Sequence, residues 1–212
     1  MGDESLPDSA SVYHITNKNG LYSELLTLLI ALQGVATTTE YLMSGESNYK
    51  PGDYLTVEAK FLGMEVRLPL FGPIQAAIQG QEPDKIDITV VHKKAPKKEY
   101  VYQVTGLQRF VDAIFKPFLV SYHERHKKEI QKHFPAGRTT WPEAWQMSWA
   151  IRNATSHNGI VFKHTNQKPI SWRGFQHNPI QDKSSPILSR VNGGDLLILL
   201  LEMEDVRRSI IC

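Results

Sequence analysis

Apolar residues recur at three- and four-residue spacing in three stretches of the chain, a pattern typical of helices that bury one face. The stretches cover residues 20–43, 107–133 and about 141–157. Pro117 lies inside the second stretch and is expected to kink that helix. A last apolar run follows Asp195, which can cap it, and its acidic residues and terminal arginines favour a fourth helix over a strand.

The pattern between residues 54 and 105 changes to short alternating or β-rich runs. Two of these, KIDITVV at 85–91 and EYVYQVT at 99–105, flank HKKAPKK, which we interpret as a hairpin connection. Further strands are expected at 159–163 and 187–191, within an irregular region. The predicted fold class is therefore α+β: a mainly helical bundle with a small antiparallel β insertion.

The domain organisation predicted from these patterns is simple. Residues 1–18 are expected to be a flexible leader, and residues 19–212 a single domain with its β-rich insertion at about 54–105. Apolar residues make up 41% of the 212, which is enough for a packed core and argues against intrinsic disorder. The longest apolar run, LLILLL, is far shorter than the roughly 18–20 residues of a membrane span.

The cellular compartment is expected to be the cytoplasm. The acidic, polar N-terminus lacks the basic start and apolar middle of a signal peptide. The sole cysteine is the last residue and cannot form a disulfide within the chain. We therefore expect no membrane partner.

Positive charge is concentrated in the middle of the chain. Residues 92–138 carry eleven Lys or Arg and four Asp or Glu, although the whole chain has a net charge of only +2. Such a local basic surface can attract phosphates, although a solvated helix face with a lysine-rich turn explains it as well. The lysines that could contact an RNA backbone are Lys93, Lys94, Lys97, Lys98, Lys127 and Lys128.

The helix predicted at 141–157 has clear boundaries. Thr140 and Glu143 have the spacing of a capping box, and Gly159 follows as an expected left-handed cap. At about 100° per residue, one face is small and apolar and a second is a tryptophan stripe that includes Arg152. Asn153 and His157 fall on a narrow polar strip.

Arg152 and His157 can be explained without any function. Arg152 can make a cation–π contact with Trp145 or Trp149, and His157 can be a cation that the helix C-terminus favours. The two are five positions apart, which is roughly 140° around a straight helix, so a pair would need a loosened helix end or a symmetric interface.

The segment RNATSH, followed by Asn-Gly and an extended apolar run, resembles the signature of the HEPN family. In that family an Arg and a following polar residue precede a His after a gap of four to six residues, and Arg152, Asn153 and His157 fill those positions. The resemblance implies a homodimeric, metal-independent ribonuclease without a cofactor, from a toxin–antitoxin or antiviral defence system. It also implies RNA as substrate and an antitoxin or other defence protein as partner.

The chemistry of these side chains is consistent with the resemblance. A histidine can exchange protons near neutral pH, so His157 would act as base or acid. Arg152 would hold the scissile phosphate with two donors, and Asn153 would orient the ring or contact phosphate. The alternative is a non-catalytic HEPN-like protein that binds nucleotide or RNA, or acts as a scaffold.

Two other groups of residues are weaker candidates for a functional site. The HERH sequence at 123–126 lacks the spacing of a zinc hydrolase, and the lysines beside it disfavour a metal site. Trp172, Arg173, Phe175 and His177 could stack on bases, but core packing is the favoured reading for Trp172 and Phe175.

Overall fold

The chain folds into a mixture of helices and small β-sheets. The structure, a computed structural model, describes residues 10–44, 52–69, 71–92, 105–156, 168–178 and 187–211. Two compact units are present: Met1–Glu58 with Met64–Tyr102, and Ala59–Gly63 with Gln103–Cys212. This division differs from the predicted single domain at 19–212, while the mixture of helix and antiparallel sheet is confirmed.

The first unit contains a four-stranded sheet. In the order β1-β4-β3-β2, β4 pairs antiparallel with both β1 and β3. Alternate residues of β4, namely Ile86, Ile88 and Val90, are buried, as expected for a sheet with one packed face. The strands are β1 (Ser11–Thr16), β2 (Tyr54–Ala59), β3 (Met64–Pro69) and β4 (Lys85–His92).

One sequence prediction about this sheet is wrong. Residues 11–16 were assigned to the flexible leader, but they form β1, and all six of them pair with residues 85–90 of β4. The strand predicted at 85–91 is confirmed as β4, which has β1 and β3 on its two sides, and the hairpin predicted between it and 99–105 stays a prediction. Thr105 begins a helix, and residues 93–104 lie outside the described part of the chain.

Two helices belong to the first unit. The helix predicted at 20–43 is confirmed as α1 (Tyr22–Ser44), and Leu25, Leu28, Leu29 and Leu32 on its apolar stripe are buried. A short second helix, α2 (Gly72–Ile78), lies between β3 and β4 and contacts α1. Its seven residues are too few to show a helical period, which is why the sequence analysis did not predict it.

The second unit is built on three helices. The predicted helices at 107–133, about 141–157 and after Asp195 are confirmed as α3, α4 and α5, and each contacts the other two. Apolar residues dominate α5, whose stretch from Gly193 to Leu201 is fully buried. The bounds are α3 (Thr105–His133), which continues through Pro117, α4 (Glu143–Ser156) and α5 (Gly193–Ile211).

A two-stranded hairpin packs against α4. Its strands, β5 (Ile170–Trp172) and β6 (Phe175–His177), are joined by Arg173 and Gly174, whose φ angles of 44° and 79° match a tight two-residue turn. Trp172 and Phe175 are buried, which confirms core packing for both. The strand predicted at 187–191 is wrong, because Ile187–Ser189 form a 3-10 turn.

The N-terminal ends of α4 and α5 differ from the predicted caps, while the predicted cap at Gly159 lies outside the described residues. Thr140 closes a 3-10 turn (Arg138–Thr140), and its hydroxyl donates to the Gly137 carbonyl instead of capping α4. Asp195 lies in the first turn of α5, where its carboxylate accepts from Asn192 N while its own N–H donates to Asn192 Oδ1. This reciprocal pair is a capping box in which Asn192, and not Asp195, is the N-cap residue.

The carboxylate of Asp195 also accepts hydrogen bonds from backbone N–H groups at 61 and 62, at 3.3 and 3.2 Å. It therefore stabilises both the helix start and the β2–β3 connection, although Asp195 itself is fully buried. Among the described segments, none of the helices combines the length and the apolarity of a membrane span.

Candidate functional site: a cleft between α3 and α4

An open cleft of about 450 Å³ lies within the second unit, where α3 and α4 approach each other. We call it the α3–α4 cleft. One wall is a stripe of α3 with helical spacing, and the other is formed by α4 and the 3-10 turn before it. The lining residues are His123, Glu124, Lys127, Gln131, Phe134, Pro135, Gly137, Arg138, Trp141, Trp149 and Arg152.

Arg152 lies at this cleft with its side chain 35% exposed. Its Nε donates to Glu124 Oε1 at 2.7 Å, and its Nη1 donates to Asn153 Oδ1 at 3.0 Å. Each bond uses one N–H of the guanidinium, which has five. The side chain is therefore fixed at two points and retains N–H groups for an anion.

Glu124 is shared between two cations. It accepts from Arg152 and from Lys127, which lies three residues further along α3. The hydrogen bond from Lys127, followed by that from Arg152, lowers the pKa of Glu124, so this carboxylate is ionised at neutral pH. Lys127, Arg138 and Arg152 against Glu124 give the described lining of the cleft a positive balance.

Arg138 covers one face of Trp149, with its guanidinium carbon 3.4 Å from the ring centroid. Burial lowers the pKa of Arg138, although not enough to remove its charge at neutral pH. In the described residues, the cation–π partner of Trp149 is thus Arg138. Arg152, for which a cation–π contact with Trp145 or Trp149 was considered, forms an ion pair with Glu124 instead. Trp145 is instead a core residue whose indole N–H donates to the Met203 carbonyl.

His123 is one of the lining residues, and its hydrogen bond to Ser148 defines its tautomer. The Ser148 hydroxyl donates to the Trp145 carbonyl, so Ser148 Oγ must accept the 2.8 Å hydrogen bond from His123 Nδ1. Nε2 of the ring is then the acceptor nitrogen. Burial lowers the pKa of His123 to about 4, so the ring is neutral at physiological pH.

Trp141, which is close to His123, has an indole N–H without a hydrogen-bond partner in the described residues. The residue is only 6% exposed, its ring centroid lies 6.1 Å from that of His123, and its buried Nε1 has no hydrogen-bond partner in the described structure. A buried donor without an acceptor costs about 1–3 kcal/mol. The indole N–H of Trp141 is therefore an unsatisfied buried donor in the described structure.

The structure brings together only some of the predicted site residues. Arg152 and Lys127 line the cleft. Asn153 is not part of the lining, but its Oδ1 accepts a hydrogen bond from Arg152. Lys128 is exposed on α3 and is not part of the lining. The predicted residues outside the described chain are His157, Lys93, Lys94, Lys97 and Lys98.

Sequence reasoning missed Glu124, His123, Arg138 and Trp141 as parts of this site. A signal was present, because residues 123, 127, 131 and 134 follow the three- and four-residue spacing of one helix face. The HERH pattern, by contrast, suggests His123 only as a metal ligand. In the described residues, no three His, Cys, Asp or Glu side chains are grouped as metal ligands would be.

The comparisons with known proteins add no relative for this chain. No protein-family model matches the sequence, and searches of curated proteins and of solved structures found no match.

Proposed function

We propose that the protein is a HEPN-like, metal-independent endoribonuclease that binds RNA in the α3–α4 cleft. In this proposal Arg152 holds the scissile phosphate, and His157 removes the 2′-hydroxyl proton or protonates the leaving oxygen. The observation that carries the proposal is the setting of Arg152. Its guanidinium is fixed by Glu124 and Asn153 at an open, positively charged cleft, with donors left for phosphate oxygens.

The reaction needs a cation where negative charge develops on the phosphoryl oxygens, and it needs proton transfer at two oxygens, the attacking 2′-oxygen and the leaving oxygen. Arg152 supplies the cation without a proton equilibrium near neutral pH. Lys127, beside it, adds a second charge for the RNA backbone. Glu124 keeps the guanidinium oriented, so that less conformational entropy is lost when RNA binds.

The proposal includes a homodimer, as the HEPN resemblance implies, in which His157 of one protomer acts with Arg152 of the other. A toxin–antitoxin or antiviral role, with an antitoxin or another defence protein as partner, rests on the same resemblance. The cytoplasm is the compartment in which such an enzyme would meet RNA.

The first experiment measures cleavage of a fluorogenic RNA by the purified protein in EDTA. Arg152→Ala and His157→Ala are each expected to reduce the rate by at least about 100-fold, while wild-type activity persists without divalent metal. Matched controls are Arg208→Ala, an exposed arginine on α5, and His14→Ala, an exposed histidine on β1. A His157→Ala protein that cleaves RNA at the wild-type rate would refute the proposal.

The dimer is tested by mixing the two inactive variants. If Arg152 and His157 act across an interface, half of the mixed dimers are heterodimers with one intact site, and about a quarter of wild-type activity returns. Activity that stays at the level of the separate variants would contradict a site shared in this way.

A second candidate is a non-catalytic nucleotide-binding or RNA-binding protein. The ion pair between Arg152 and Glu124 favours it, because two donors of the guanidinium are already used within one protomer. RNA binding that depends on Arg152, without cleavage under any of these conditions, would support this candidate over the enzyme.

A further inference from the structure

Arg138 is a cation of the α3–α4 cleft whose charge is not paired within the described residues. Lys127 and Arg152 share the carboxylate of Glu124, whereas the guanidinium of Arg138 has no carboxylate and no hydrogen-bond acceptor in the described chain. Unlike the indole nitrogen of Trp141, no side-chain nitrogen of Arg138 is both buried and unpartnered, so its N–H groups reach solvent. The cleft therefore contains a partly buried, accessible guanidinium to which the described residues supply no counterion.

The contact with Trp149 fixes this guanidinium without using its donors. The guanidinium carbon lies 3.4 Å from the centroid of the indole ring, which brings the group into contact with the ring face. The N–H bonds of a guanidinium lie in its plane, so a partner on its face leaves the five donors available at its edges. Arg138 and Trp149 are both partly exposed residues of the cleft lining. An oxyanion can therefore bind the edge of the guanidinium while the ring holds its face.

The backbone before α4 also holds Arg138 in place. Gly137 has a φ of 98°, in the left-handed region that favours glycine, and it precedes the 3-10 turn that Arg138 begins. Within this turn the Trp141 N–H donates to the Arg138 carbonyl at 3.1 Å. The Thr140 hydroxyl donates to the Gly137 carbonyl at 2.8 Å. Backbone and side chain of Arg138 are thus both restrained, so less conformational entropy is lost when an anion binds.

An unpaired arginine and a paired arginine should contribute differently to RNA binding. The charge of Arg152 is partly neutralised by Glu124 at 2.7 Å, so its net attraction for an anion is reduced before RNA arrives. Arg138 has no such carboxylate in the described chain, and its partial burial has already removed part of its hydration. We therefore expect Arg138 to supply affinity in the ground state, and Arg152 to act mainly in the transition state.

We propose that Arg138, held against Trp149, forms an oxyanion subsite of the α3–α4 cleft that binds a phosphate group of RNA before cleavage. This inference deepens the proposed function and rests on RNA being the ligand of the cleft. Arg138 is assigned as a binding residue, and Trp149 as a positioning residue that acts through it. Substrate affinity then depends mainly on Arg138, and the rate of cleavage depends mainly on Arg152.

The binding test uses the full chain carrying His157→Ala, so that a labelled single-stranded RNA is bound and not cleaved. Arg138→Ala is expected to weaken RNA binding at least about tenfold and to lower the slope of log affinity against log salt by about 1. Arg208→Ala, which removes the same charge from an exposed position on α5, is the matched control. An equal effect of the two substitutions would overturn the proposal.

A double-mutant cycle tests the positioning role of Trp149. Trp149→Leu removes the π system but keeps apolar bulk, and it should weaken RNA binding about threefold, whereas Trp149→Phe keeps a ring and should lose less. In the Arg138→Ala background, Trp149→Leu should have no further effect, because the guanidinium that the ring positions is gone. Melting temperatures verify that each variant is folded. The same threefold loss in both backgrounds would show that the ring acts independently of Arg138 and would refute the positioning role.

Inorganic phosphate is the second probe, because free phosphate offers the same chemistry as the phosphate groups of RNA. Calorimetry measures its binding to the same His157→Ala protein with and without Arg138→Ala. RNA affinity is expected to respond to Arg138→Ala at least as strongly as phosphate affinity does. A loss of phosphate binding with unchanged RNA affinity would overturn the proposal, since the subsite would then serve a free anion.

Kinetics separate this proposal from the enzymatic one. With His157 intact, Arg138→Ala should raise KM at least about tenfold and change kcat less, whereas Arg152→Ala lowers kcat. A lower kcat at unchanged KM in Arg138→Ala would overturn the subsite. RNA binding that depends on Arg138, without cleavage by the wild type, would remove the enzymatic function and leave the subsite. Cleavage that depends on Arg152 and His157, but not on Arg138, would remove the subsite and leave the enzyme.

Discussion

Arg152 on α4 donates from Nε to Glu124 Oε1 on α3 across 2.7 Å, and the two side chains are about equally exposed, at 35% and 34%. This contact places a carboxylate beside the arginine to which we assign phosphate binding. The carboxylate orients the guanidinium, but it also repels an incoming anion. These opposite effects can be separated experimentally.

We expect Glu124→Gln to bind RNA about fivefold more tightly, because removal of a partly exposed charge changes such interactions by up to about 1 kcal/mol. The cleavage rate at saturating RNA should fall, because Arg152 loses its strongest positional restraint. The measurement is kcat and KM on the fluorogenic RNA. Glu129→Gln, on α3 but outside the cleft lining, is the control. A lower KM without a lower kcat would show that Glu124 does not position Arg152.

Lys127 and Lys128 form a matched pair of neighbours on α3. Lys127 lines the cleft, whereas Lys128 is exposed elsewhere on the helix. If RNA lies in the cleft, Lys127→Ala should lower the slope of log affinity against log salt by about 1, and Lys128→Ala should lower it less. Binding titrations at several salt concentrations measure both slopes. Equal changes in the two slopes would mean that RNA binds a basic surface that extends beyond the cleft.

The buried His123 predicts a loss of stability in mild acid. Burial lowers the pKa of His123 to about 4, below the ordinary value of 6.5 that applies in the unfolded chain. Between these values the unfolded state binds a proton that the folded state excludes, so stability falls as the pH drops through this window. From pH 7.5 to 5 the expected loss is about 2 kcal/mol.

Urea unfolding at several pH values tests this prediction, with His123→Gln as the comparison. Glutamine does not titrate, so the variant should lose less stability on acidification. Burial also lowers the pKa of His126, which adds a loss of the same sign, and a residual slope is therefore expected in the variant. Identical slopes in the two proteins would mean that His123 is protonated as readily in the folded state as in the unfolded one.

Asp195 is expected to be among the most sensitive polar residues for stability. Its buried carboxylate takes part in the capping box of α5 and accepts from the backbone at 61 and 62. Asp195→Ala should lower the free energy of unfolding by about 3 kcal/mol, because a cap and charge-assisted hydrogen bonds are lost together. Asp195→Asn should cost less, since it keeps one acceptor oxygen. Chemical denaturation of both variants measures the difference, and a cost below about 1 kcal/mol for alanine would contradict it.

The sequence predicted the helices well because helical periodicity is a local property. Helical spacing alone predicts a small apolar face on α4, and the residues at those positions, Ala144, Met147, Ile151 and Ala154, are all buried. Arg152 was likewise placed on the tryptophan stripe, and it shares the cleft with Trp141 and Trp149. The assignment of His157 stays a prediction, because that residue lies outside the described chain.

Pairings between distant segments depended on the tertiary structure. Ser11 pairs with Val90 in the sheet, and no local pattern in a polar leader indicates such a partner. Glu124 and Arg152 are 28 positions apart, and their contact requires a particular packing of α3 on α4. Periodicity determines which side of a helix is apolar, but the packing of two helices determines which polar groups at their margins meet. The sequence by itself therefore determined the four long helices and the placement of Arg152, while only the fold decided that Glu124, Lys127, His123 and Arg138 surround the same cleft.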